Sequence, residues 1–138
     1  MPKSLNRRNF LKGATAAAII ASQSRPARAV SANDKVILAV VGLRGRGSAL
    51  SLNFASRPDC EVAYLCDCDT QFLGERNKAV TEAQGRAAKT EQDIRRVLED
   101  KSVDAIVVAT PDHWHALATV WGCQAGKDVY VEKPVSHT

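Results

Sequence analysis

Several patterns that would define other protein classes are missing from this 138-residue sequence. No Cys-x-x-Cys pair occurs, so we predict no metal site of the zinc-ribbon or zinc-finger kind. The most apolar stretch, residues 14–21, is too short to span a bilayer as a helix. No internal repeat is present, and low complexity is confined to the alanines of that stretch. The length then favours one compact domain rather than two.

Acidic residues are also missing from the first 29 positions, which carry six lysines and arginines. Removing those six charges changes the net charge of the chain from +4 to −2. The basic pI of about 9.0 therefore belongs to the first segment and not to the rest of the chain. We predict no nucleic-acid partner, because such proteins carry their basic patch on the folded domain.

This basic first segment has the three parts of an export signal. Residues Asn6–Lys12 (NRRNFLK) resemble the twin-arginine consensus, although Asn6 stands where Ser or Thr is usual. The alanine-rich stretch follows, and Ala27–Ala29 supplies a small-x-small cleavage pattern that places the mature start near Val30. We predict a signal peptide over residues 1–29, a periplasmic or otherwise exported product, and the twin-arginine machinery as partner. The alternative is a disordered basic amphipathic tail.

Four cysteines remain to be placed: Cys60, Cys66, Cys68 and Cys123. An exported chain permits disulfides. Cys66 and Cys68, however, flank the end of a predicted strand, where neighbouring side chains point to opposite faces. We favour reduced cysteines that pack as small hydrophobic side chains, and leave the disulfide alternative open.

Apolar runs alternate with helical patterns along the remainder, residues 35–138. The predicted strands are Val36–Val41, Glu61–Cys66, Val103–Ala109 and Asp128–Glu132. The predicted helices are Gly47–Ser56, Thr70–Gln84, one through Leu98 or Glu99 that begins at a capping pattern in Thr90–Asp93, and His113–Ala125. This rhythm predicts an α/β fold, a doubly wound parallel sheet of Rossmann-like type.

The first strand leads directly into residues 42–47, GLRGRG, and the second strand ends at an acid. Gly42, Gly45 and Gly47 permit a sharp turn whose helix N-terminus can hold a pyrophosphate. Asp67 follows twenty positions after Gly47, where an acid can accept a hydrogen bond from an adenosine ribose. The order strand, glycine turn, helix, strand and acid predicts a dinucleotide site.

Two further motifs follow later strands and therefore belong to the same edge of the sheet. They are Thr110-Pro111 with His115 four positions further on, and Glu132–Pro134 (EKP), which is preceded by Ala125–Lys127 (AGK). Together with the glycine turn, they resemble the glucose-fructose oxidoreductase, inositol dehydrogenase and rhizopine catabolism family of NAD(P)-dependent oxidoreductases. The resemblance covers roughly residues 35–138.

This resemblance implies a role for each motif. Asp67 would hold the ribose, which favours NAD over NADP while leaving NADP possible. The dinucleotide cleft would be lined by Thr110, Pro111 and His115. Glu132 and Lys133 would lie beside the nicotinamide ribose and the substrate, with Lys133 as the catalytic residue.

Each role has a plainer alternative. Arg44 stands where the middle glycine is usual, so either Gly45 takes over the close approach or Arg44 or Arg46 contacts a phosphate. Asp67 as a helix cap, His115 as a structural histidine and Lys133 as a solvated lysine remain open. We expect Trp114 and Trp121 to pack rather than to form a ligand platform.

We therefore expect the nucleotide-binding domain of an exported oxidoreductase that acts on a sugar, polyol or related hydroxy compound. The family's second, substrate-binding domain is missing from this sequence, so a fragment with little turnover of its own is expected. A homo-oligomeric full-length form is left open. The alternative function is a non-catalytic exported α/β binding or assembly module.

Overall fold

A computed structural model describes residues 35–136, and the structural statements below concern that part of the chain. Its strands are β1 (Val36–Val41), β2 (Cys60–Cys66), β3 (Lys89–Glu91), β4 (Ala105–Val108) and β5 (Asp128–Val131). Its helices are α1 (Arg46–Ala55), α2 (Gln71–Gln84), α3 (Ile94–Glu99) and α4 (His115–Gln124), with a 3-10 turn at Asp112–Trp114. The predicted signal peptide lies outside the described residues.

All five strands pair in parallel, in the order β3-β2-β1-β4-β5. The chain builds outward from β1 to β3, then returns to the other side of β1 to form β4 and β5. The strand order therefore reverses between β1 and β4, and the carboxyl ends of these strands form the usual ligand crevice of open α/β sheets. The predicted doubly wound, Rossmann-like sheet is confirmed.

Alternating residues of the central strands fill two separate cores, one on each face of the sheet. Val40 and Val107 face α1 and α2, while the neighbouring Val41 and Val108 face α3 and α4. Each strand is thus buried on both sides, which explains why its sequence is a continuous apolar run rather than an alternating one.

Strand β2 contains one residue more than its partner. Leu38 pairs with Val62, but the next residue, Ala39, pairs with Tyr64, so Ala63 has no partner in the register. Val62 and Leu65, three positions apart, consequently pack into the same core. Without the extra residue, the two-residue repeat of a strand would direct them to opposite faces.

Strand β3 was not predicted, and the interpretation of Thr90–Asp93 as a helix cap was wrong in part. Lys89–Glu91 pairs with Tyr64–Cys66 at the edge of the sheet. Only Asp93 caps α3, its carboxylate accepting a hydrogen bond from the backbone N–H of Arg95. The strand is short and polar, so only its tertiary pairing with β2 identifies it.

The predicted helix His113–Ala125 is also corrected at its start. A 3-10 turn over Asp112–Trp114 comes first, closed by a hydrogen bond from Trp114 N–H to the carbonyl oxygen of Pro111 (3.0 Å), and α4 begins at His115. Gly85 ends α2 with φ +76°, as predicted for a glycine stop. No helix within residues 35–136 is long and apolar enough to cross a membrane.

Candidate functional site

The turn between β1 and α1 is packed so closely that two of its glycines have no room for a side chain. Gly42 has φ +85°, and a Cβ atom there would lie 2.7 Å from the backbone nitrogen of Thr110. A Cβ atom on Gly47 would overlap the carbonyl oxygen of Gly42. Gly45, by contrast, has φ +44° and open space around it. The turn is therefore closely packed at Gly42 and Gly47 and open at Gly45, just before α1 begins.

The N-terminus of α1 is uncapped by side chains. Its cap is Gly45, and no acidic residue lies in its first turn. The two arginines of the turn point to opposite sides: Arg44 pairs with Asp69 (2.6 Å), and Arg46 pairs with Glu132 (2.8 Å). Each arginine is thus balanced by a carboxylate, and the feature suited to a diphosphate is the uncapped helix N-terminus with its backbone N–H groups.

Asp67, directly after β2, is tied to the glycine turn. Its Oδ2 accepts a hydrogen bond from the backbone N–H of Leu43 (2.8 Å), and its Oδ1 accepts one from Asp69 N–H (2.9 Å). The helix-capping role belongs to Asp69, whose Oδ1 accepts from Gln71 N–H at the start of α2. A carboxylate has about four lone-pair sites, so Asp67 retains acceptor capacity for a ligand hydroxyl.

A cleft of about 590 Å³, here called the β2-side cleft, opens beside Asp67. Its volume lies within the range typical of small-molecule sites. The two indoles of Trp114 and Trp121 form part of its wall, with ring centroids 6.4 Å apart, and Trp114 is 44% exposed. The other lining residues are Val41, Gly42, Cys66, Asp67, Cys68, Gln92, Asp93, Ile94, Arg95, Thr110, Pro111 and Ala118. The expectation that the tryptophans only pack is therefore incomplete, because both also line the cleft.

A second cleft of about 460 Å³, here called the β5-side cleft, lies on the other side of Thr110. It is lined by Arg46, Ala109, Thr110, Asp112, His115, Glu132 and Lys133. Four of these side chains are charged: Arg46 at the start of α1, Asp112 in the 3-10 turn, and Glu132 and Lys133 after β5. The two clefts share Thr110, so they form adjoining parts of one crevice over the carboxyl ends of the strands.

Glu132 is held in its ionised form. Its Oε1 accepts hydrogen bonds from Arg46 Nε (2.8 Å) and from the Tyr130 hydroxyl (3.0 Å). These contacts, with the nearby Lys133 cation, lower the pKa of the Glu132 carboxyl below its ordinary value. Glu132 is therefore an acceptor and not a proton donor at neutral pH.

The segment that carries Lys133 is anchored by a buried histidine. The His115 ring is 2% exposed; its Nδ1 lies 2.6 Å from the carbonyl oxygen of Pro134, and its Nε2 lies 2.7 Å from that of Thr110. The Lys133–Pro134 peptide bond is cis. His115 thus links the two motif-bearing segments, and both of its ring nitrogens are engaged with the protein backbone. A direct contact between His115 and a cofactor stays a prediction.

These residues fit a dinucleotide on structural grounds. The glycine turn leaves its open side at an uncapped helix end, and the Thr110 hydroxyl is buried without a hydrogen-bond partner among the described residues. One cleft offers aromatic walls and a carboxylate, and the other offers charged groups. That division suits an adenosine half and a nicotinamide half on either side of a diphosphate.

Two of the remaining predicted site residues line a cleft and one does not. Lys133 is exposed and lines the β5-side cleft, and Pro111 lines the β2-side cleft. Arg44 lines neither cleft, and its guanidinium contacts Asp69 and the Phe72 ring. Individual contacts of these residues with a ligand stay predictions. No group of three or more His, Cys, Asp or Glu side chains suited to a metal ion occurs within residues 35–136.

Sequence reasoning missed the links between distant charges. Arg46 is separated from Glu132 by 86 positions, and neither that pair nor the Tyr130 hydroxyl beside it is visible as a local pattern. The four cysteines are free, as favoured, but only Cys60 and Cys66 are buried. Cys68 is exposed because β2 has already ended two residues before it.

Comparison with known proteins agrees with this site. The family model described as "Oxidoreductase family, NAD-binding Rossmann fold" matches residues 36–138. A curated relative from Stenotrophomonas maltophilia, named glycosyl hydrolase family 109 protein, is 36% identical over 135 residues, covering 93% of this chain and 29% of the relative. A protein of the same name from Shewanella pealeana is 31% identical and covers 97% of this chain and 34% of its own length. The chain thus spans about a third of the length of the curated relatives that it matches.

Solved structures share the fold. The scyllo-inositol dehydrogenase from Lactobacillus casei with bound NAD(H) and scyllo-inositol has a TM-score of 0.66 at 21% identity, over 75% of this chain and 29% of that one. GenD2 from gentamicin A biosynthesis, solved in complex with NAD, has a TM-score of 0.65 at 24% identity, over 82% of this chain and 31% of that one. Together with the family match, these likenesses confirm the predicted NAD-binding Rossmann fold.

Proposed function

The chain belongs to the oxidoreductase family with an NAD-binding Rossmann fold, and from that premise we propose that it holds the dinucleotide of an exported enzyme that transfers hydride to or from a sugar, polyol or related hydroxy compound. The observation that carries the proposal is the pair of clefts that meet at Thr110, with Asp67 beside one and Lys133 beside the other. A binding scaffold without dinucleotide chemistry has no need of either charge at these places.

The chain's own residues divide the work of binding. Asp67 accepts from the ribose hydroxyls at the β2-side cleft, and the open N-terminus of α1 at Gly45 receives the diphosphate. Thr110 supplies the unpartnered hydroxyl between the two clefts. When bound, the dinucleotide supplies a hydride acceptor or donor.

Lys133 is the proposed catalytic residue. A lysine beside the reacting hydroxyl or carbonyl orients that group and stabilises negative charge that develops on its oxygen. The Glu132 N–H bond to the carbonyl of Val108 (3.0 Å) and the His115 contact with the Pro134 carbonyl hold the backbone on both sides of Lys133. The segment is thereby fixed at the mouth of the β5-side cleft.

The substrate class is supported by the compounds named for similar proteins. A structural neighbour binds scyllo-inositol, a polyol. The curated relatives at 31% and 36% identity are named as glycosyl hydrolases, which favours glycosides as the second candidate class of substrate. Both classes present ring carbons that bear a hydroxyl; such a carbon can give its hydride to a nicotinamide while the hydroxyl loses a proton, or the reverse.

Export is proposed from the sequence of residues 1–29. A twin-arginine route carries folded proteins, and a protein that retains its dinucleotide gains from that route because free nicotinamide cofactors are scarce outside the cytoplasm. This part of the proposal rests on the Asn6–Lys12 motif and the Ala27–Ala29 pattern alone.

The experiment is a titration of the chain with NADH, followed by energy transfer from Trp114 and Trp121 to the reduced nicotinamide. We expect saturable binding with a Kd below about 1 mM. Asp67→Asn should weaken binding about tenfold or more, because a charged acceptor of the ribose is lost. Asp59→Asn removes the same charge at the opposite edge of the sheet and is the matched control. Absence of saturable binding would favour the non-catalytic module instead.

A further inference from the structure

We propose that Asp69 sets the choice of dinucleotide by holding Arg44 away from the place where a 2′-phosphate would bind. The inference deepens the proposed function and rests on it, because it assumes that Asp67 receives the adenosine ribose. Asp69 then acts as a specificity-determining residue. Arg44, the residue that replaces the middle glycine of the turn, could bind a phosphate but is kept from doing so by its ion pair with Asp69.

Both residues are direct neighbours of the ribose-binding carboxylate. The backbone N–H of Leu43, the residue before Arg44, donates to Asp67 Oδ2, and Asp69 N–H donates to Oδ1. Asp67 is therefore flanked on one side by the backbone that carries Arg44 and on the other by the backbone that carries Asp69. A phosphate on the ribose held by Asp67 would therefore lie beside the two backbone segments that carry Arg44 and Asp69.

The Arg44 side chain is committed elsewhere. Its Nη2 lies 2.6 Å from Asp69 Oδ2, and its guanidinium carbon lies 4.5 Å from the centre of the Phe72 ring. Arg44 is 69% exposed and Asp69 is 28% exposed. Ion pairs this accessible are weak, so the guanidinium can exchange partners when a better anion is offered.

The charge balance decides which dinucleotide is accepted. Asp67 and Asp69 carry two negative charges against the single positive charge of Arg44, and the Asp93–Arg95 ion pair that lines the same cleft adds no net charge. This corner of the crevice is therefore net negative. Ribose hydroxyls are donors and suit such a corner. A 2′-phosphate is repelled by both carboxylates and must also compete with Asp69 for the guanidinium.

Removing the Asp69 charge lowers the repulsion, since only Asp67 stays charged, and ends the competition for the guanidinium while preserving the local structure. Asp69→Asn keeps an Oδ1 acceptor for the Gln71 N–H, so this contact at the start of α2 is retained. Arg44 is then released, and a guanidinium is well matched to the bidentate recognition of a phosphate. In this proposal, the Asp69 carboxylate is what keeps the Arg44 guanidinium from binding a phosphate.

The test measures NADH and NADPH dissociation constants side by side for wild type, Asp69→Asn, the double variant Asp69→Asn/Arg44→Met and the control Asp59→Asn. Asp59 forms a similar exposed pair with Arg57 (2.9 Å) just before β2, so its substitution removes an equal charge outside both clefts. We expect Asp69→Asn to shift the NADPH-to-NADH preference toward NADPH by about tenfold. The double variant should lose that gain, and Asp59→Asn should not change the ratio.

The outcomes separate this inference from the proposed function. If wild type binds NADH but the ratio in Asp69→Asn stays within about twofold of wild type, the Asp69 role is wrong while the dinucleotide site stands. A gain that persists without Arg44 also overturns it, since charge removal alone would explain the result. If wild type binds neither dinucleotide, both proposals fall together. Unfolding curves of each variant show that the fold is retained.

Discussion

The two clefts that meet at Thr110 are built in different ways. The β2-side cleft is fixed by backbone hydrogen bonds to the half-buried Asp67, and its floor includes the core residues Val41 and Cys66. In the β5-side cleft the backbone is held by the buried His115, but the charged side chains are held only by an exposed ion pair, Arg46–Glu132. Residues of the first cleft therefore also contribute to folding, whereas charges of the second can change with little effect on stability.

The largest effect is expected at the turn that both clefts share. Gly47→Ala should lower the free energy of unfolding by about 3 kcal/mol or more, because its Cβ overlaps the carbonyl oxygen of Gly42 and backbone must move. Urea unfolding measures the change. Gly74→Ala in α2 is the matched control: nothing lies within 4 Å of its Cβ position, so a gain of about 0.5–1 kcal/mol is expected. Equal effects at the two sites would contradict the close packing described for the turn.

A smaller effect is expected on the rates at which cysteines are labelled, and it shows whether NADH occupies the β2-side cleft. Cys68 is exposed in the β2-side cleft, while the exposed Cys123 lies outside both. Burial raises the pKa of the Cys66 thiol to about 12, so Cys66 should stay unlabelled by iodoacetamide in the folded protein. NADH should slow the labelling of Cys68 and leave that of Cys123 unchanged, as read by mass spectrometry. Equal labelling rates at Cys68 with and without NADH would mean that the adenosine does not bind in the β2-side cleft.

The smallest effect is expected in the β5-side cleft. Because the pKa of Glu132 is lowered from 4.5 in the folded chain, its contribution to stability is fully present above about that pH and is lost as the pH falls through the lower folded value. Glu132→Gln should remove this part of the acid dependence of thermal unfolding. The difference from wild type should be small and should vanish in 1 M salt, where the screening length is about 3 Å. A large, salt-resistant difference would mean that both clefts are built alike.

The extent to which sequence predicted this molecule follows from how local each feature is. The buried strands and Asp67 were predictable, because a continuous apolar run and an acid at its end are local signals. Strand β3 was not, since it is an exposed, polar edge. The Arg44–Asp69 pair joins residues 25 positions apart, and only the folded turn brings them together. His115 was predicted to line the cleft, but its contacts with two carbonyl oxygens depend on the placement of separate segments.

The unpaired Ala63 in β2 bears on how related chains are aligned. Asp67 was located by counting twenty positions from Gly47, yet one of those positions adds no length to the sheet in register with β1. A relative whose second strand lacks the extra residue would bring its acid to the same point in space after nineteen positions. The number of residues between the glycine turn and the acid therefore does not by itself give the position of the acid in the sheet. Alignments of these proteins should admit a one-residue gap within the second strand.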